Sequence, residues 1–155
     1  MKTILVIGAG RSSSSLIQYL LNNASKEKWN VRVGDVDEKN AITRVNAHAN
    51  GTAFRFDISD AVQREKEISN AVLVVSMLPA FMHGSVAKDC VRLGKHLVTA
   101  SYVSDEMRAL DEEAKKKNII LLNEVGLDPG IDHMSAMQII DKVKKFGGEM
   151  KAFYY

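Results

Sequence analysis

Glu124, Asp128, Asp132 and His133 crowd the stretch Asn123-Glu124-Val125-Gly126-Leu127-Asp128-Pro129-Gly130-Ile131-Asp132-His133-Met134, where two glycines and a proline impose a tight backbone. Carboxylates and an imidazole gathered at a strand's carboxyl end suit proton transfer and the ordering of water. A plainer reading covers two of them: Asp132 caps a helix and His133 is solvated. That reading leaves Asp128 without a reason. A second stretch, Gly8-Ala9-Gly10-Arg11-Ser12-Ser13, suits the holding of a pyrophosphate. Gly8 permits a tight turn, Gly10 lets the backbone approach an anion, and the helix that opens there presents free N–H groups. Ser13 stands where a third glycine is usual, and Ser12 can add a hydroxyl to the phosphate. A flexible serine linker is the alternative for Ser12 to Ser15, but a helical period starts at once.

Asp35 closes the second apolar run. An acidic group at that place accepts hydrogen bonds from the adenosine ribose hydroxyls and repels a 2′-phosphate. Val36-Asp37-Glu38 adds negative charge and no arginine, so NAD is favoured, with NADP possible. The alternative is that Asp35 only caps the next helix. Asp57-Ile58 follows the third run and Ser76-Met77-Leu78-Pro79 the fourth. Ile58 is placed to cover an adenine; Ser76, Leu78 and Pro79 are placed to line the nicotinamide ribose. Ordinary loop chemistry would explain these residues equally well. No metal site is expected, because Cys90, His48, His83, His96 and His133 show neither Cys-x-x-Cys nor paired-His spacing. A hydrolase Gly-x-Ser-x-Gly elbow and a phosphate-binding Gly-Lys-Ser/Thr ending are both missing.

These groups need a scaffold, and the sequence alternates short β-branched runs with longer amphipathic stretches. Strands are expected at Ile4–Ile7, Asn30–Asp35, Ala53–Phe56, Val72–Val75, His96–Thr99 and Ile119–Leu122. Helices are expected around Leu16–Leu21, from Glu38 to His48, Ala61 to Ser69, Phe81 to Leu93, after an N-cap at Ser104, and from Ile131 to Lys145. Ile4 to Ile7 is apolar on both faces, as a central parallel strand covered on each side must be. The reading is therefore a three-layer α/β/α doubly wound (Rossmann) sheet, with the first three strands on one side of the switch point. Residues 1–148 form the dinucleotide-binding domain; 149–155, with Met150 to Tyr155 read as a seventh strand, begin a truncated second one.

With 155 residues, 46% hydrophobic and 26% charged, the chain suits one globular domain. A net charge of +2, with bases and acids interleaved, gives no reason to expect nucleic acid. The apolar N-terminus is too short to span a membrane. One cysteine excludes an internal disulfide and suits a reducing, cytoplasmic setting.

Val98-Thr99-Ala100-Ser101-Tyr102 followed by Asn123 to His133 resembles the saccharopine dehydrogenase family, closest to its glutamate-forming branch. The likeness runs from Gly8-Ala9-Gly10-Arg11 to Gly147-Gly148, and the run Glu124 to His133 is its most specific part. It implies oxidation of saccharopine to L-glutamate and 2-aminoadipate 6-semialdehyde in lysine metabolism, with a nicotinamide dinucleotide as hydride acceptor. It implies that Tyr102 and Asp128 stand near the reacting carbon, one donating to the leaving nitrogen, the other taking a proton or ordering water. It implies cofactor contacts from Ala9, Arg11 and Ser101, and substrate contacts from Gly126, Leu127, Pro129 and Gly130. A homodimer is expected of the full-length enzyme, whose substrate domain and reactive cysteine would lie beyond Tyr155. Saccharopine's three carboxylates need cations, and only Arg108 is near. The isolated chain is therefore expected to bind the cofactor without turning over. A dinucleotide-sensing module, or a related dehydrogenase of the carboxynorspermidine type, are the competing readings.

Overall fold

The computed structural model describes residues 1–154. Six strands form one wholly parallel sheet: β1 (Lys2–Ile7), β2 (Trp29–Asp35), β3 (Gly51–Arg55), β4 (Leu73–Ser76), β5 (His96–Thr99) and β6 (Leu121–Leu122). Their order across the sheet is β3-β2-β1-β4-β5-β6. The chain runs outward in one direction through β3, returns to the middle, and runs outward the other way. The switch point therefore falls between β1 and β4, where such sheets open a crevice at their carboxyl edge.

Alternation along β1 explains why both faces must be covered. Ile4 and Val6 point to one face; Leu5 and Ile7 point to the other. On the first face α1 (Ser14–Glu27) brings Ile17, Leu20 and Leu21, and α2 (Glu38–Val45) brings Ala41 and Val45. On the second, α3 (Ala61–Ser69) supplies Ile68, α4 (His83–Leu93) supplies Val86, Ala87 and Cys90, and α5 (Asp105–Ala109) supplies Met107. The three-layer expectation is met.

Most helix ends follow the signals in the sequence. Asp37 accepts from the Lys39 N–H, Asp60 from those of Val62 and Gln63, and Ser104 from that of Met107. Gly94 ends α4 in the left-handed conformation. Three expectations shift. The helix after Ser104 breaks at Leu110 into α5 and α6 (Asp111–Lys116). The expected strand from Ile119 keeps only Leu121 and Leu122 in the ladder. Residues 150–154 form no strand, because no neighbouring strand lies beside them to complete their hydrogen bonds; Tyr155, the last residue of that expectation, lies outside the described residues. The last helix, α7 (Ile131–Lys145), has the expected bounds but buries none of its residues.

Candidate functional site

The carboxyl ends of β1 to β4 enclose a crevice of about 570 Å³. Its walls include Gly8, Gly10, Asp35, Asp57, Ile58, Leu78 and Pro79. That size falls within the range of small-molecule sites. Gly8 turns the chain out of β1 at φ +99°, and a Cβ there would stand 2.9 Å from the Met77 carbonyl oxygen. Gly10 is different. A Cβ on it would meet no protein atom within 4 Å. Its bareness keeps a space open that no protein atom uses, which fits close approach by a ligand. The 3₁₀ turn Arg11–Ser13 and α1 follow without a side chain capping either. The Ser13 and Ser14 hydroxyls donate to the carbonyls of Gly10 and Arg11, so the leading N–H groups stay available to an anion.

Asp35 does more than the sequence suggests. One carboxylate oxygen accepts from the Ala9 N–H at 2.7 Å, and the other from the Asp37 N–H at 2.9 Å and from Asn40 Nδ2 at 3.3 Å. The carboxylate thus pins the glycine loop to the end of β2 while lining the crevice. The Ala9 N–H is consequently turned to Asp35 and away from a pyrophosphate. Asp57 accepts from the Ser59 N–H and hydroxyl, which hold its acidity above that of an ordinary carboxyl.

Two expected contacts move. Ser76 is fully buried, and its hydroxyl pairs with His83 Nδ1 at 2.9 Å instead of lining the crevice. The cause is the strand's alternation, which turns Ser76 toward α4. Ser12 lines a second hollow of about 440 Å³ on the first face, with Leu16, Val98, Gly126 and Leu127. Met77 lines both spaces. Arg11 is exposed beside the glycine loop.

The ionisable loop lies past β6, and a backbone link from the Val125 N–H to the Thr99 carbonyl sets it beside β5. Tyr102 donates its hydroxyl to Asp128 Oδ1 at 2.8 Å. That bond, together with the negative charge of Asp128, Asp132 and Glu124, raises the phenol's pKa. His133 pairs with Asp132 at 2.8 Å, which raises its pKa as well, and Asp132 also accepts from the Gly130 N–H. The loop closes on itself: the Gly126 N–H donates to the Pro129 carbonyl, and the Ile131 N–H to the Gly126 carbonyl. A Cβ at Gly130 would stand 2.2 Å from the Gly126 carbonyl oxygen, so only glycine fits. Pro129 and Gly130 thus shape the loop, whereas Gly126 and Leu127 face the second hollow.

Asp128, Asp132 and His133 bring ligand-type atoms within 4.8 Å of one another, which spacing in the sequence did not reveal. Their hydrogen bonds to Tyr102, to Gly130 and to each other account for the grouping. Sequence reading also overlooked His83, whose Nε2 lies 2.9 Å from the Ser101 hydroxyl. It is buried, and burial lowers its pKa.

Known proteins resemble this chain along nearly all its length. An alpha-aminoadipic semialdehyde synthase of Arabidopsis thaliana is 38% identical over 97% of this chain and 16% of its own. A saccharopine dehydrogenase [NADP(+), L-glutamate-forming] of Schizosaccharomyces pombe is 35% identical over 99% of this chain and 33% of its own. The solved apo saccharopine dehydrogenase (L-Glu forming) of Saccharomyces cerevisiae superposes with a TM-score of 0.84 at 33% identity, covering 98% of this chain and 33% of that one. The chain therefore spans a third or less of these relatives' length. Residues 4–122 match the family described as the saccharopine dehydrogenase NADP binding domain, and the chain belongs to that family.

Proposed function

We propose that this chain is the dinucleotide-binding part of an oxidoreductase that oxidises saccharopine, or a close secondary amine, to L-glutamate and an aldehyde. The observation that carries the reading is the Tyr102–Asp128 hydrogen bond, set at the carboxyl edge of the sheet that also holds the glycine crevice. The bound nicotinamide ring supplies a hydride acceptor. Glu124, Asp128 and Asp132 supply an acidic rim that suits an ammonium nitrogen and disfavours an anionic one. Asp128 has a second carboxylate oxygen with which to take a proton from that nitrogen or to order the water that hydrolyses the imine. Tyr102, kept protonated, exchanges its bond to Asp128 for one donated to the departing nitrogen. Gly126 and Leu127 contact the substrate from the second hollow.

The fungal relatives are named for NADP(+), and so is the family. We propose that this chain nevertheless prefers NAD. Asp35 lines the crevice at the end of β2, and Asp37 and Glu38 follow it, so a 2′-phosphate would meet negative charge. Calorimetry with both dinucleotides decides it: NAD should bind at least about tenfold more tightly, and Asp35→Ala should erase most of that gap. Tighter NADP binding, or a gap untouched by the substitution, sinks the preference while leaving the fold intact. Oxidation of saccharopine by the full-length protein, with NAD or NADP, tests the activity. The alternative of a dinucleotide sensor gains if the full-length protein binds cofactor and leaves saccharopine and carboxynorspermidine unreacted. A reducing, cytoplasmic setting suits the lone Cys90, which is buried and whose thiol pKa is pushed up to about 12.

A further inference from the structure

Ser76, His83 and Ser101 form a line of side chains in which His83 has no part in the proposed oxidation, while Ser101 is the cofactor contact that the family resemblance implies. Ser76 ends β4, Ser101 follows β5, and β4 pairs with β5 so that Ser76 lies level with Thr99. His83, the first residue of α4, bridges the two hydroxyls, with 2.9 Å on each ring nitrogen. Ser76 and His83 are buried while Ser101 is half-buried, so the line opens outward only at Ser101. It opens beside Tyr102, whose phenol meets Asp128.

A neutral imidazole has one N–H and one lone pair. The line therefore has two settings. With the proton on Nε2 the ring donates to Ser101, and the Ser101 hydroxyl hydrogen is free to donate outward. With the proton on Nδ1 the Ser101 hydroxyl donates inward, and its oxygen is left to accept. In a doubly wound sheet the nicotinamide half of a dinucleotide lies over the strands beyond the switch point, here β4 and β5. We propose that His83 is a positioning residue that fixes Ser101 as a directional hydrogen-bond partner for the nicotinamide riboside end of the dinucleotide. The proposal rests on the reading of the crevice as a dinucleotide site.

The test compares NAD with ADP, which lacks the whole nicotinamide riboside, by calorimetry on the 155-residue chain. His83→Leu and Ser101→Ala should each weaken NAD about tenfold and leave ADP within about twofold, as loss of one hydrogen bond at one end requires. His83→Gln, whose amide reaches where Nε2 lies, should retain most of the NAD affinity. The double variant His83→Leu, Ser101→Ala should be no weaker than either single one. Equal losses on both ligands would make His83 a mere bridge between α4 and the sheet and overturn the proposal, as would no loss on either. If the unaltered chain binds neither ligand, the dinucleotide reading itself fails. Should His83→Leu not fold, Ser101→Ala and His83→Gln carry the same comparison.

Discussion

Tyr102 and Asp128 belong to loops that follow different strands, and a single bond of 2.8 Å joins them. Because the carboxylate holds the phenolic proton, Asp128→Asn should bring the Tyr102 pKa down toward its ordinary value. NMR titration of labelled tyrosine reads this directly, and an unmoved titration would mean that the carboxylate is not the cause. His83 makes a second residue-scale prediction, with the opposite sign. Its pKa is lowered in the folded chain. As pH falls through about 6.5, the unfolded chain takes up a proton that the buried ring refuses. Stability is retained above that pH and lost below it, until the folded ring also titrates. Urea melts between about pH 7.5 and about pH 5.5 should show the loss, and His83→Gln should shrink it. Tyr102 and Asp128 could be singled out as candidates because the family resemblance takes in Val98 to Tyr102 and the specific run around Asp128. His83 was not, because its partners stand far off at 76 and 101 and meet it only once β4 and β5 are paired.

At the scale of elements, the glycine loop divides its work between two residues that look alike in the sequence. Gly8→Ala forces a Cβ against the Met77 carbonyl at a positive φ, and should cost about 1–3 kcal/mol of stability. Gly10→Ala meets no protein neighbour and has an ordinary φ of −66°, so the melt should barely move. Dinucleotide affinity should fall at least about tenfold all the same, since the methyl would occupy the ligand's approach. Thermal melts paired with calorimetry separate the two; a destabilised Gly10→Ala that still binds would reverse the two glycines' roles. Short runs that are apolar throughout, such as Ile4 to Ile7, announced their strands because both faces are covered. The aromatic run from Met150 misled, since alternation says which way side chains would point and nothing about whether a neighbouring strand is there. The helix expected from Ile131 to Lys145 is present, yet Met134, Met137, Ile140 and Val143, which recur every three residues along it, are not buried.

Across the whole molecule, two apolar layers flank one sheet, and stability should be drawn from them and hardly from the last helix. Leu97→Ala, in the second layer, should cost about 2–5 kcal/mol, whereas Ile139→Glu on α7 should stay within about 0.5 kcal/mol. Denaturant melts of both variants check the contrast, and a large loss at Ile139 would mean that α7 packs after all. No helix among the described residues is long and apolar enough to cross a membrane. The doubly wound order could be read in advance because right-handed crossovers leave few arrangements for strands that alternate with helices. The two hollows could not, since they depend on which parts of each sheet face the helices leave bare. Met77 stands between those hollows as a party wall. Its bulk decides how much room each side receives, so a smaller residue there would join two chambers into one trough, and a stiffer one would fix the partition that a pliant thioether now leaves adjustable.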